Sequence, residues 1–85
     1  MAYALYNRIL STARKWEAIL EDDTITRIKV EFTDKVGVSH KVEERAVSCR
    51  ADREIFFREE YLNIIQAAAR HPILKDCTVT VSVRH

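Results

Sequence analysis

Glycine and proline are almost missing from this chain, which holds one of each, Gly37 and Pro72. A phosphate-cradling loop needs closely spaced glycines, so nucleotide-binding loops of that kind are excluded. Cysteine occurs twice, at Cys49 and Cys77, without C-x-x-C spacing. Two are too few for a disulfide framework, and a reducing, cytoplasmic setting is expected. No apolar run approaches the roughly 18 residues of a membrane span, so no membrane role is expected. The opening MAYALYNRIL has no basic stretch before its apolar residues and reads as the start of a helix, not a signal peptide. Neither sign of charge dominates: 14 basic residues face 13 acidic ones, for a net +1. Such balance counts against a duplex-DNA binder, whose affinity comes largely from phosphate contacts.

What is present is order-forming. The apolar fraction is 47% and the charged fraction 32% of 85 residues, which suits one globular domain spanning 1–85 and is too short for two cores. From Ala4 to Leu20, apolar residues at 5, 6, 9, 13, 16, 19 and 20 recur at helical spacing and predict an amphipathic helix capped by the Trp16 ring. The acidic run Glu21-Asp22-Asp23 is unfavourable at a helix C-terminus and marks its end. The period then changes to two. Ile28, Val30 and Phe32 alternate with Arg27, Lys29 and Glu31, a half-buried strand. Asp34-Lys35-Val36-Gly37 suits a hairpin connection. A second strand is expected over 38–47, with Val38, His40 and Val42 inward, Ser39, Lys41, Glu43 and Arg45 outward, and a bulge where the phase blurs at 44–47.

Asp52 is the expected N-cap of a second helix over 53–70, with a stripe of Ile55, Phe56, Leu62, Ile65 and Ala69, widened by Phe57, Tyr61, Ile64 and Ala68. Arg53 is assigned to the polar face. Pro72 discourages continuation. The chain closes on CTVTVSVRH, in which Val79, Val81 and Val83 alternate with Thr78, Thr80 and Ser82.

The element order α-β-β-α-β predicts an α+β fold, a two-layer sandwich. A crossover through the second helix makes strands two and three parallel to each other. Strand one fits between them, giving a mainly antiparallel three-stranded sheet of order 2-1-3 with both helices on one face. The third strand is then an edge, without proline or an inward charge to protect it.

Catalytic and metal chemistry find no support. His40, His71 and His85 are isolated, Cys49 sits at a strand-to-helix junction, and Cys77 is in phase with the core valines. Glu43-Glu44 and Glu59-Glu60 are sequence neighbours whose side chains diverge, so neither pair forms a dyad. No enzyme activity, cofactor or metal is expected. The expected function is a small protein-interaction module: a homodimer, or an accessory or inhibitor-type protein of phage or mobile-element character that binds a macromolecular partner. Its contact residues would be Thr78, Val79, Thr80, Val81, Ser82 and Val83 on the edge strand. The tyrosines Tyr3 and Tyr6 offer a second possible apolar contact. The alternative partner is nucleic acid, held on the open sheet face by Arg27, Lys29, Lys41, Arg45 and Arg84. That face lacks the aromatics on which RNA-binding sheets stack bases.

Overall fold

A computed structural model of the chain describes residue 14 and residues 16–85. Most of the expected first helix, and with it Tyr3 and Tyr6, lies outside the described residues. Its visible end, α1, is helical over 16–21. The strands are β1 (Arg27–Thr33), β2 (Ser39–Ala46) and β3 (Thr78–Arg84). Between β2 and β3 runs a long helix, α2, built from an α-helical segment Arg50–Ile55, a π-helical segment Phe56–Tyr61 and an α-helical segment Leu62–Ala69. The sheet order is β2-β1-β3, with β1 antiparallel to both neighbours. The fold is therefore the expected α+β arrangement.

Both helices bury residues into one cluster: Trp16 and Ile19 from α1, and Phe56, Tyr61 and Ala68 from α2, meet Ile28, Val30, Phe32 and Val81 of the sheet. Trp16 does more than cap this core. It is 1% exposed, and its ring lies 5.7, 5.1 and 5.0 Å from those of Phe56, Phe57 and Tyr61. Such tilted aromatic contacts add roughly 0.5–1.5 kcal/mol each beyond the area they bury.

The expected inward face of β2 is reversed. Directly paired residues of an antiparallel ladder project to the same face. Ile28, Val30 and Phe32 pair with Arg45, Glu43 and Lys41, so those three polar residues lie on the helix-bearing face. Val42 pairs with Glu31 on the open face and stays 48% exposed; Val38 is 52% exposed. The bulge also lies at the other end of the strand. Phe32 pairs with Lys41 and Thr33 with Ser39, which leaves His40 as the extra residue. The true phase is carried by Val47, which is buried just after β2 and an even number of residues from Lys41, Glu43 and Arg45. The turn between β1 and β2 forms as expected. Gly37 takes φ +90° and donates its N–H to the Asp34 carbonyl at 3.1 Å.

In α2 the expected stripe shifts. Ile55 and Leu62 are exposed, whereas Arg53, Phe56, Tyr61 and Ala68 are buried. Each π-helical turn takes more residues than an α-helical one. The step from Phe56 to Tyr61 therefore covers five residues and still returns to the core. The helix also starts earlier than expected. Cys49 is its extended N-cap. Asp52 lies inside the first turn and reaches back, accepting from Ser48 N at 2.9 Å and Ser48 Oγ at 2.8 Å.

Arg53 is not a polar-face residue. Its side chain is 1% exposed, and Nη2 donates to the Leu20 carbonyl at 3.0 Å and to Asp23 Oδ1 at 2.7 Å. Leu20 stands in the last turn of α1, where carbonyls lack helical partners. Arg50 adds bonds at 3.0 Å to Glu21 and to Glu54. The acidic run that ends α1 is thus answered by two arginines at the start of α2.

Two stability outcomes follow from these packings. Phe56→Ala is expected to cost about 3–5 kcal/mol, whereas Ile55→Ser should stay within about 0.5 kcal/mol. Urea denaturation of both variants checks the π-helical phase, and equal costs would refute it. By the same measurement Arg53→Ala should cost about 3 kcal/mol, because it empties a buried volume and takes the donor from the Leu20 carbonyl, and Asp23→Ala less, because that carboxylate is largely exposed and Arg53 keeps its bond to Leu20. A loss under about 0.5 kcal/mol for Arg53→Ala, typical of an ordinary surface site, would show that the arginine clamp is dispensable.

Candidate functional site: the two sheet edges

A three-stranded open sheet has two edges, and here they are β2 and β3. Which backbone groups each edge offers follows from alternation. Val47 N donates to the Thr26 carbonyl at 2.9 Å, and Asp34 N donates to the Val38 carbonyl at 3.0 Å. Even-numbered residues of β1 therefore direct their backbone groups towards β2, and odd-numbered ones towards β3. With Arg27 opposite Arg84, Lys29 opposite Ser82 and Glu31 opposite Thr80, the even residues of β3 bond β1. The Arg84 carbonyl does turn inward, accepting at 2.8 Å from Thr26 N, which stands just before β1 and there breaks the alternation by donating to the β3 side. The N–H and C=O of Val79, Val81 and Val83 then point out of the sheet edge. Val81 is 2% exposed and Val79 and Val83 pack against the core, so side chains anchor the strand while its outer backbone meets no other strand among the described residues. On the other face stand Thr78, Thr80, Ser82 and Arg84, matched with Thr33, Glu31, Lys29 and Arg27.

The two edges differ in protection. Charged residues, bulges and twist are the usual means of blocking strand addition. The β2 edge has the His40 bulge and a run of charged side chains from Lys41 to Arg45, with Val42 the sole apolar one among them. Several of these are tied down. Arg45 Nε lies 3.1 Å from Glu60 on α2, and Glu44 Oε1 accepts from Arg27 Nε at 2.5 Å, which holds the Glu44 carboxyl below its usual range. His40 Nε2 lies 2.7 Å from Asp34 Oδ2. The β3 edge has neither bulge nor charge between Thr78 and Val83.

The five cations expected on the open face do not gather there. Arg27, Lys29 and Arg84 do share it, but Lys41 and Arg45 lie on the helix-bearing face by register. Arg27 is bonded to Glu44, and Lys29 Nζ stands 4.0 Å from Glu31. The open face is thus a mixed-charge surface rather than a basic one. Among the described residues, no group of three or more His, Cys, Asp or Glu is placed to hold a metal ion, and no helix is long and apolar enough to cross a membrane. The chain matches no protein-family model, no curated protein and no solved structure.

Asp34 organises the β2 side of the molecule. Its Oδ1 accepts from Val36 N at 3.0 Å and Val38 N at 2.9 Å. These bonds and, first among them, the one to His40 lower its carboxyl below the ordinary value. A carboxyl lowered in the folded state contributes stability above its unfolded value, about 4, and loses it as pH falls through the lower folded value. The Val36 and Val38 amide shifts are therefore expected to titrate together below about pH 4, and to stay flat in Asp34→Asn. Flat wild-type shifts on acidification would refute the assignment.

Proposed function

We propose that the chain is a non-enzymatic protein-binding module that accepts a β-strand along the outer edge of β3. The observation that carries this reading is the contrast between the edges. β2 is bulged and charged, whereas β3 presents the backbone groups of Val79, Val81 and Val83 beside uncharged side chains. Strand addition draws affinity from main-chain hydrogen bonds and specificity from alternate side chains, and the regular β3 backbone suits it. The mixed charge of the open face favours this reading over nucleic acid, for which concentrated positive charge supplies most of the affinity. A reducing compartment such as the cytoplasm fits two cysteines that form no disulfide.

The test uses a defined probe, a synthetic peptide with the sequence of residues 78–84, added to dilute, isotope-labelled protein. Amide exchange at Val79, Val81 and Val83 is expected to slow by tenfold or more at saturating peptide, while the β1-bonded amides of Thr80 and Ser82 change little. Unchanged exchange at the three valines of the monomeric protein, with the peptide in excess, would overturn strand addition at this edge.

A further inference from the structure

The outward backbone of β3 specifies a partner as well as a surface. We infer that this edge pairs with the β3 of a second copy of the chain, antiparallel, across a two-fold axis at Val81. This inference rests on the strand-addition reading and names its partner.

The sequence around Val81 is symmetric in chemical type. Val79 and Val83 flank it at two residues, and Thr80 and Ser82 at one. An antiparallel two-fold at Val81 sets Val81 against its own copy, Val79 against Val83, and Thr80 against Ser82. The first two kinds of pair involve only residues whose N–H and C=O already point outward. Each is a bonded pair of the antiparallel ladder, with two hydrogen bonds apiece. On the helix-bearing face valine meets valine, and on the open face hydroxyl meets hydroxyl, both favourable cross-strand combinations. Arg84 falls opposite Thr78, so no like charges are opposed. An axis moved by one residue, to Thr80 or Ser82, still satisfies the backbone parity, but it pushes one end of the valine set past its match, onto Cys77 or His85.

The two remaining ways to pair copies fit less well. Joining β2 to β2 puts together strands carrying Lys41, Glu43, Glu44 and Arg45 and interrupted by the His40 bulge. Joining β2 to β3 is a head-to-tail contact, which closes only as a ring of several copies or runs on as a filament, and it uses the guarded β2 edge. Pairing β3 to β3 closes at two copies, makes one six-stranded sheet, and leaves the guarded β2 strands as its only outer edges.

The experiment is light scattering over a dilution series, combined with engineered cysteines. The wild-type chain is expected at twice its 9.9 kDa mass. Val81→Pro should return it to 9.9 kDa with its helix content retained, because the Val81 N–H makes no bond to β1; Thr80→Pro removes such a bond and should unfold the chain. On a Cys49→Ser background, the double variant Thr80→Cys/Ser82→Cys should form a covalent dimer on oxidation, because these positions face each other across the axis. Each single variant should not, since its two copies lie on the diagonal at about 7–8 Å between Cα atoms, beyond disulfide reach. The double variant keeps the test open should Val81→Pro fail to fold. A 9.9 kDa mass at every concentration would overturn self-pairing, as would a dimer in which the double variant does not cross-link. A monomer whose valine amides are still slowed by the peptide of residues 78–84 would refute the self-pairing alone. A monomer that ignores the peptide would refute strand addition with it.

Discussion

Everything in this fold is placed by β1. It is the one strand with neighbours on both sides, and Ile28, Val30 and Phe32 on its inner face are essentially inaccessible to water. Both helices pack over that row. Among the described residues β1 is the only interior strand, so β2 and β3 each turn one side of their backbone away from the sheet. Only closure into a barrel abolishes such edges; an open sheet keeps two whatever its strand number. Two edges among the described residues are thus what any open sheet must have, and the differences between the edges are where this sequence expresses a choice.

That choice is made differently on the two sides. β2 carries almost none of the core. No residue of it is buried, and an ion pair between Arg45 and Glu60 ties it to the helix layer. It keeps polar and charged side chains on both faces, which suits an outer strand facing water. β3 contributes Val81 to the core and packs Val79 and Val83 against it. The buried side chains hold β3 in register with β1, so its outer backbone is presented on a rigid support. Rigid presentation lowers the ordering cost that an incoming strand must overcome. Arg53 adds a further tie within the helix layer, joining the last turn of α1 to the first of α2.

The legible parts of the sequence were those where pattern and burial agree. β1 and β3 each alternate cleanly, and the structure buries the phase their valines and isoleucine indicate. β2 also alternates, but alternation alone does not say which face is dry. Val38 and Val42 suggested one phase and Val47 the other, and the register of β1 decides for Val47. The π-helical segment has no local sequence signature, so the stripe through Ile55 and Leu62 followed the α-helical period and missed the shift. Arg53 had a readable signal: it stands three and four residues before Phe56 and Phe57, on the buried side. Its charge assigns it to the polar face, because the acidic residue that partners it, Asp23, lies thirty residues earlier in the chain.

The acidic run after α1 shows why such pairs escape a local reading. Glu21, Asp22 and Asp23 are unfavourable beside the carbonyl end of their own helix. In the fold that end meets the start of α2, where Arg50 and Arg53 supply the opposite charge. Asp22 turns away to accept from Thr24, which lowers its carboxyl below the usual range, and Thr24 Oγ1 lies 2.7 Å from His85 Nδ1, just beyond β3. One short acidic segment thereby touches both α2 and the residue after β3. The end of the domain where α1 stops, α2 begins and β3 finishes is held by polar contacts, whereas the sheet centre is held by apolar ones. This division leaves the middle of β3, around Val81, with no polar side chain on its inner face and no charge at its edge, which is the composition that a strand-to-strand contact requires.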